Sequence, residues 1–253
     1  MTMKSNTVWM AAAAVAMVAM LASCRNTPKN NNNPEPGTEI TDPAPAPDPE
    51  TAPDPNSING HKWVDMGTGV KWATTNIGAN TPEEFGDYFA WGELAPKDEY
   101  TWENYEHRNK KSGSDYMIPE NFVNGDGDNL EFEPKYDAAR KLWGGSWRMP
   151  TQSEIRALRT GTTKEWVEQY GVNGYLLTSK TTGGQIFLPA AGYKEDKKTI
   201  YVGDHGYYWS SSMFDLMEGE SYHLYFKNTK SSQRFEPGFY PARLGFPIRP
   251  VTD

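Results

Sequence analysis

The stretch "NGDGDNLEFE" (124–133) sets Asn124, Asp126 and Asp128 at alternate positions, with Glu131 or Glu133 close behind. Alternating side-chain oxygens closed by a carboxylate are what a hard cation such as Ca²⁺ requires. The run lacks the glycine and glutamate placement of an EF-hand, so a solvated Asn/Asp/Gly turn is the alternative. A second set of residues is aromatic. "YFAWGELAPKDEYTWENYEH" (88–107) carries Trp91, Tyr100, Trp102 and Tyr105. Exposed, such rings stack on sugar faces or anchor a protein partner; folded under, they extend the core. Signatures of catalysis are missing. There is no GxSxG elbow and no HExxH, and the histidines at 61, 107, 205 and 223 have no ligand spacing. "GDGDN" lacks the Gly-Lys-Ser/Thr ending of a phosphate loop. Acidic residues are plentiful, so a glycosidase-type pair stays open, but none is singled out. A non-enzymatic domain is expected, with no cofactor other than Ca²⁺ at the 124–131 loop.

Those residues must be held by something, and the chain divides into unequal parts. Its 253 residues carry 33 acidic and 25 basic side chains, a net charge of −8. Nucleic acid is thereby disfavoured, because phosphate binding needs clustered Lys and Arg. All the Tyr and Phe, and every Trp but Trp9, fall after residue 57. A core of this kind can be built without crosslinks. The expected elements are a hairpin of 61–66 and 70–76 around Gly67-Thr68-Gly69 and a helical turn over 80–85 capped by Thr81. Helices are expected over 136–143 and 151–160. In the second, Thr151 and Glu154 form a capping box, and Ile155 and Leu158 face inward. Strands are expected at 147–150, 164–170, 174–179, 185–190, 207–212, 221–226 and 246–251. In "GYYWSSS" (206–212), Tyr207 and Trp209 point one way and Tyr208 the other. Arg148 is expected to meet Glu154 or Asp137. Helices first and strands later predict an α+β fold with an antiparallel sheet.

The N-terminal part reads differently. An apolar run from Val8 to Ala22 ends in Leu21-Ala22-Ser23-Cys24, and Cys24 is the sole cysteine. The run is shorter than the roughly 20 residues of a membrane span and fits the apolar region of a secretory signal. Its end resembles the lipobox of bacterial lipoproteins. That resemblance implies cleavage after residue 23 and acylation of the Cys24 thiol, which attaches the chain to a membrane. Arg25 follows, with no Asp; in the sorting rule this resembles, that favours the outer membrane, with either face open. Residues 24–57 are rich in Pro, Asn, Asp and Glu and hold no aromatic residue. Such a segment buries too little apolar surface to offset its ordering entropy. Polyproline-like, it reaches at most ~100 Å and acts as a tether for a domain over 58–253.

Seven blocks in that domain resemble the Fibrobacter succinogenes major paralogous domain. They are "GVKWATTNIGA" (69–79), "FGDYFAWGE" (85–93), "DAARKLWGGSWRMPTQSE" (137–154), "GVNGYLLTS" (171–179), "IFLPAAGY" (186–193), "GYYWSSS" (206–212) and "IRPV" (248–251). The resemblance implies a C-type-lectin-like fold: short, mostly antiparallel strands, two short helices, long loops and adjacent termini. It also implies pairing of the strand near Trp63-Val64 with Ile248–Val251. "RMPTQSE" (148–154) is similar to a strand-helix segment of the formylglycine-generating enzymes. Those act through cysteine thiolates, and 58–253 contains none, which excludes their activity. The sugar-binding triplets of C-type lectins are absent too. The partners expected are a membrane through the lipid anchor and a glycan or a surface protein.

Overall fold

The computed structural model describes residues 54–108, 123–124, 131–215, 219–229 and 232–253. Cys24, the signal segment and most of the tether lie outside these residues.

The first strands are β1 (Ser57–Ile58), β2 (His61–Asp65) and β3 (Lys71–Ala73). β2 and β3 form the expected hairpin, with Trp63 opposite Ala73 and Val64 opposite Trp72. Gly67 and Gly69 take φ of 65° and 93° in its turn, a region that side chains resist. The single turn expected over 80–85 is present, Glu84 N–H donating to the Thr81 carbonyl at 3.3 Å, but the Glu84 carboxylate accepts from the Asn80 N–H at 2.7 Å rather than from Thr81. Gly86 then bends the chain so closely over Ile77 that an added Cβ would sit 2.2 Å from its carbonyl.

β4 (Val123–Asn124) and β5 (Glu131–Phe132) pair antiparallel. α1 (Ala138–Trp143) follows, its N-cap Asp137 accepting from the N–H groups of Ala139 and Arg140. Ala139 and Trp143 are buried together, and Gly144 and Gly145 end the helix at φ of 66° and 59°. Residues 147–150 make only a single bridge, Arg148 to Val251, rather than a strand. Trp147 and Met149 still alternate into one core. α2 (Gln152–Gly161) opens on the full capping box. Thr151 Oγ1 accepts from Glu154 N–H, and the Glu154 carboxylate accepts from Thr151 N–H. Arg148 grips Glu154 through two bonds of 2.8 and 2.6 Å and also reaches Asp253 at 2.9 Å.

Strands fill the rest: β6 (Thr162–Gln169), β7 (Val172–Ser179), β8 (Gln185–Pro189), β9 (Tyr193–Glu195), β10 (Lys198–Ile200), β11 (His205–Asp215), β12 (Glu220–Thr229), β13 (Ser232–Pro241) and β14 (Val251–Thr252). Every pairing between these named strands is antiparallel. The fold is thus mostly antiparallel β with two helices among the described residues. The sheets run β1-β2-β3-β14, β6-β7-β8, β9-β10 and β13-β12-β11-β5-β4. β13 was not expected, because Pro237 and Pro241 lie within it. It is an edge strand, the place in a sheet where proline is tolerated.

The terminal pairing differs from the expectation. β14 pairs with β3, Val251 opposite Trp72, and β3 separates it from β2. Residues 246–250 are mainly irregular, and Arg249 within them is 1% exposed. Its guanidinium donates to Asn76 Oδ1 and to the carbonyls of Ala73, Thr74 and Phe187 at 2.7–3.1 Å. It thereby joins the end of β3, β8 and the C-terminal segment. No carboxylate faces it among these bonds, and burial lowers its pKa to about 10.

β11 divides the interior. Tyr207 and Trp209 enter one core with Trp91, Trp147 and Phe246. Tyr208 enters the other with Trp72, Ile155, Leu158 and Phe226. This is the alternation expected from "GYYWSSS". Among the described residues, no helix is long and apolar enough to cross a membrane.

Candidate functional site

Of the two readings of the ligand candidates Trp91, Tyr100, Trp102 and Tyr105, the structure has the second: they extend the core and do not form a ligand surface. Trp91 and Tyr100 are 0% exposed and Tyr105 is 1% exposed. Trp102 is half-buried, packed edge-on against Tyr105. Buried main-chain carbonyls in 88–107 and in the segments packed on it need donors. Aromatic polar tips supply the donors. Trp91 Nε1 donates to the Ser210 carbonyl at 2.8 Å and Tyr105 Oη to the Trp91 carbonyl at 2.9 Å. Tyr100 Oη donates to the Tyr88 carbonyl, and Tyr88 Oη to that of Ala191 at 2.6 Å.

Of the cation candidates, Asn124 and Glu131 are register partners in the backbone of the β4–β5 pair. Asp126 and Asp128 lie outside the described residues. No group of three or more His, Cys, Asp or Glu is arranged to hold a metal among the described residues.

Two carboxylates are buried among the described residues, Glu93 and Asp137. Burial raises the pKa of each against the bonds that lower it. Glu93 receives Lys97 Nζ at 2.8 Å and the Glu106 N–H at 2.9 Å. Asp137 borders a cavity of about 220 Å³ with Arg140, Arg148 and Ser211. Both of its oxygens are engaged: Oδ1 caps α1, and Oδ2 accepts the Met149 N–H at 2.9 Å. Both acids therefore hold chain segments in place.

A different surface has the character of a binding site. Gln152, Arg156, Arg159 and Thr160 follow one another at i, i+4, i+7 and i+8 along α2, so they share a helix face. They form one wall of a cleft of about 580 Å³, and Phe214, Tyr222, Pro237 and Phe239 form the other. That volume falls within the usual range for small-molecule sites. Phe214 and Phe239 stack in parallel, centroids 3.9 Å apart and planes 7° apart, with Tyr222 edge-on to Phe214. Both phenylalanines are open to solvent, 40% and 48% exposed. Arg156 is exposed and has no side-chain partner among the described residues. Arg159 spends only its Nε, on the Phe235 carbonyl at 3.0 Å. Gln152 is 7% exposed, and its amide nitrogen lacks a hydrogen-bond partner among the described residues. Glu236 is the acid on the cleft and pairs with Arg234 at 3.3 Å.

A second cleft of about 570 Å³ lies farther along β13, lined by Lys164, Trp166, Tyr175, Arg234 and Phe235. Trp166 is half-buried and edge-on to Tyr175.

Neither cleft was picked out from sequence. The helical spacing of Gln152, Arg156 and Arg159 was readable there. Their partners were not, since Phe214 and Phe239 lie beyond the expected strands and reach α2 only through long-range pairing.

No family model, no curated protein and no solved structure matches this chain.

Proposed function

We propose that this chain is a lipid-anchored cell-envelope protein, held at the outer membrane through Cys24, whose C-terminal domain binds a glycan or protein ligand without catalysis. The N-terminal motif and the proline-rich tether support the anchor. The seven resembling blocks, the two helices and the antiparallel strands support a C-type-lectin-like domain of the major paralogous type. The shared sheet of β2, β3 and β14, which brings both ends of the domain together, is in keeping with it. The observation that carries the binding reading is the open Phe214–Phe239 stack facing the arginine-bearing wall of α2. Aromatic rings in a monomer's surface that pack on each other yet stay wet are characteristic of recognition surfaces.

The test is a glycan array probed with the mature chain carrying Cys24→Ser, with and without Ca²⁺, followed by an assay for released reducing sugar. Retained glycan without cleavage is the expected result. Release of reducing sugar would instead assign a hydrolase. An empty array would leave a protein ligand or a purely structural part in a surface assembly. Loss of array signal on chelation would bring the 124–131 loop into the site.

A further inference from the structure

We propose that the α2 cleft and the cleft beside Trp166 form one continuous seat for an acidic polysaccharide, a polymer of carboxylate-bearing sugars. This rests on the binding reading above and names its ligand class.

The two clefts are neighbours whose bordering residues touch. Arg159 borders the first, and its Nε holds the carbonyl of Phe235, which borders the second. Lys164 borders the second, donates to the Arg159 carbonyl at 2.6 Å and lies 5.1 Å above the Phe235 ring. Both follow β13, over 233–235 and then 236–239. At ~3.3 Å per strand residue that track is about 20 Å long, which suits an extended oligomer better than a single sugar.

Its chemistry alternates. Phe214 and Phe239 offer apolar faces at one end and Trp166 at the other, each carrying the negative quadrupole that attracts polarised C–H groups. Between and beside them stand Arg156, Arg159 and Lys164. Arg234 and Glu236 neutralise each other, leaving Glu165 as the other acid on the track. A net cationic strip on a chain of charge −8 selects anions locally. The Gln152 amide nitrogen and the free guanidinium nitrogens are donors, matching carboxylate oxygens.

An acidic peptide is the competing occupant, and the strand edge disfavours it. A peptide docks on an edge strand by main-chain pairing. Here Pro237 has no N–H to give, and Arg159 already occupies the Phe235 carbonyl.

The experiment is calorimetric titration of the mature Cys24→Ser chain with galacturonate dimer and hexamer, the carboxyl-reduced hexamer and polyglutamate. The hexamer should bind at least about tenfold tighter than the dimer. It should weaken several-fold when salt is raised past the Debye screening range and lose about tenfold or more with Arg156→Gln. Trp166→Ala should bring the hexamer down to dimer affinity. Arg156→Gln should melt like the parent; Trp166→Ala, whose ring packs edge-on to Tyr175 and Phe226, should melt lower and is titrated well below its own melting temperature, so a folding defect is visible separately. Equal binding of the carboxyl-reduced hexamer would overturn the acidic ligand while leaving glycan binding intact. Equal binding of dimer and hexamer would overturn the joined seat. Polyglutamate binding in place of the sugars would overturn the glycan class. Silence toward every glycan, neutral ones included, would overturn this proposal together with the glycan half of the binding reading, leaving a protein ligand.

Discussion

Two aromatic assemblies sit in this domain and behave oppositely. Around Trp91, Tyr100, Tyr105 and Trp209, rings are sealed, and nearly every polar tip donates to a main-chain carbonyl. At Phe214 and Phe239 the rings have no polar tip and stay 40% and 48% exposed. Burial of an irregular segment leaves carbonyls that must be paired, and Trp and Tyr pair them while adding apolar area. Phenylalanine cannot perform that task, so an open phenylalanine stack has no scaffolding duty to explain it. Aromatic density alone, six rings in 88–107 and seven in 207–226, therefore does not separate scaffold from site; burial and the polar tips do.

The largest difference between the regions should appear in unfolding. Tyr105→Ala removes a ring that is 1% exposed and the hydroxyl that donates to the Trp91 carbonyl. It should cost about 3–5 kcal/mol in chemical denaturation. Phe239→Ala should cost less than about 1 kcal/mol, its ring being half in water. Equal losses would erase the distinction.

The sealed assembly also predicts a pH dependence. His223 is 1% exposed among Tyr207, Trp209, Tyr240 and Phe246. Burial pushes its pKa from 6.5 down to about 3. The unfolded chain then binds a proton that the folded chain refuses, so stability present above pH 6.5 is lost as pH falls toward about 3. Glu93 and Asp137, held above their ordinary values by burial, act in the opposite sense. The His223 contribution is thus read as the difference between the parent and His223→Asn across that window. Parallel curves would show that the imidazole is solvated.

Smaller effects probe the elements that carry the cleft. Thr151→Ala removes the cap that starts α2 and should cost about 1 kcal/mol. It should also loosen the Arg156 wall, seen as faster amide exchange in the first turn. Tyr170 is 83% exposed at φ 50°, beside Gly171 at φ 81°, in the two-residue turn joining β6 to β7. Such turns prefer Asn-Gly, so Tyr170→Asn should raise stability by up to ~1 kcal/mol. A decrease would mean that the tyrosine ring has a contact that matters.

What the sequence made legible were local rules. The Thr151–Glu154 box, the Gly67-Thr68-Gly69 hairpin and the opposed faces of Tyr207 and Tyr208 depend on neighbours a few residues apart. The misses are long-range. β14 could pair with either strand of the first hairpin, and only the fold selects β3. Arg249 looked like a strand residue and is instead a buried donor knot. The cleft needed α2, β11, β12 and β13 brought together, and its prolines concealed the last of these.

The most direct test of the contrast between sealed and open rings is the affinity of Phe239→Ala for whichever glycan the parent retains, measured by titration calorimetry beside its melting temperature. Binding that falls at least about tenfold while melting stays near the parent value is the predicted result. Unchanged affinity, or a fall only in step with unfolding, would contradict it.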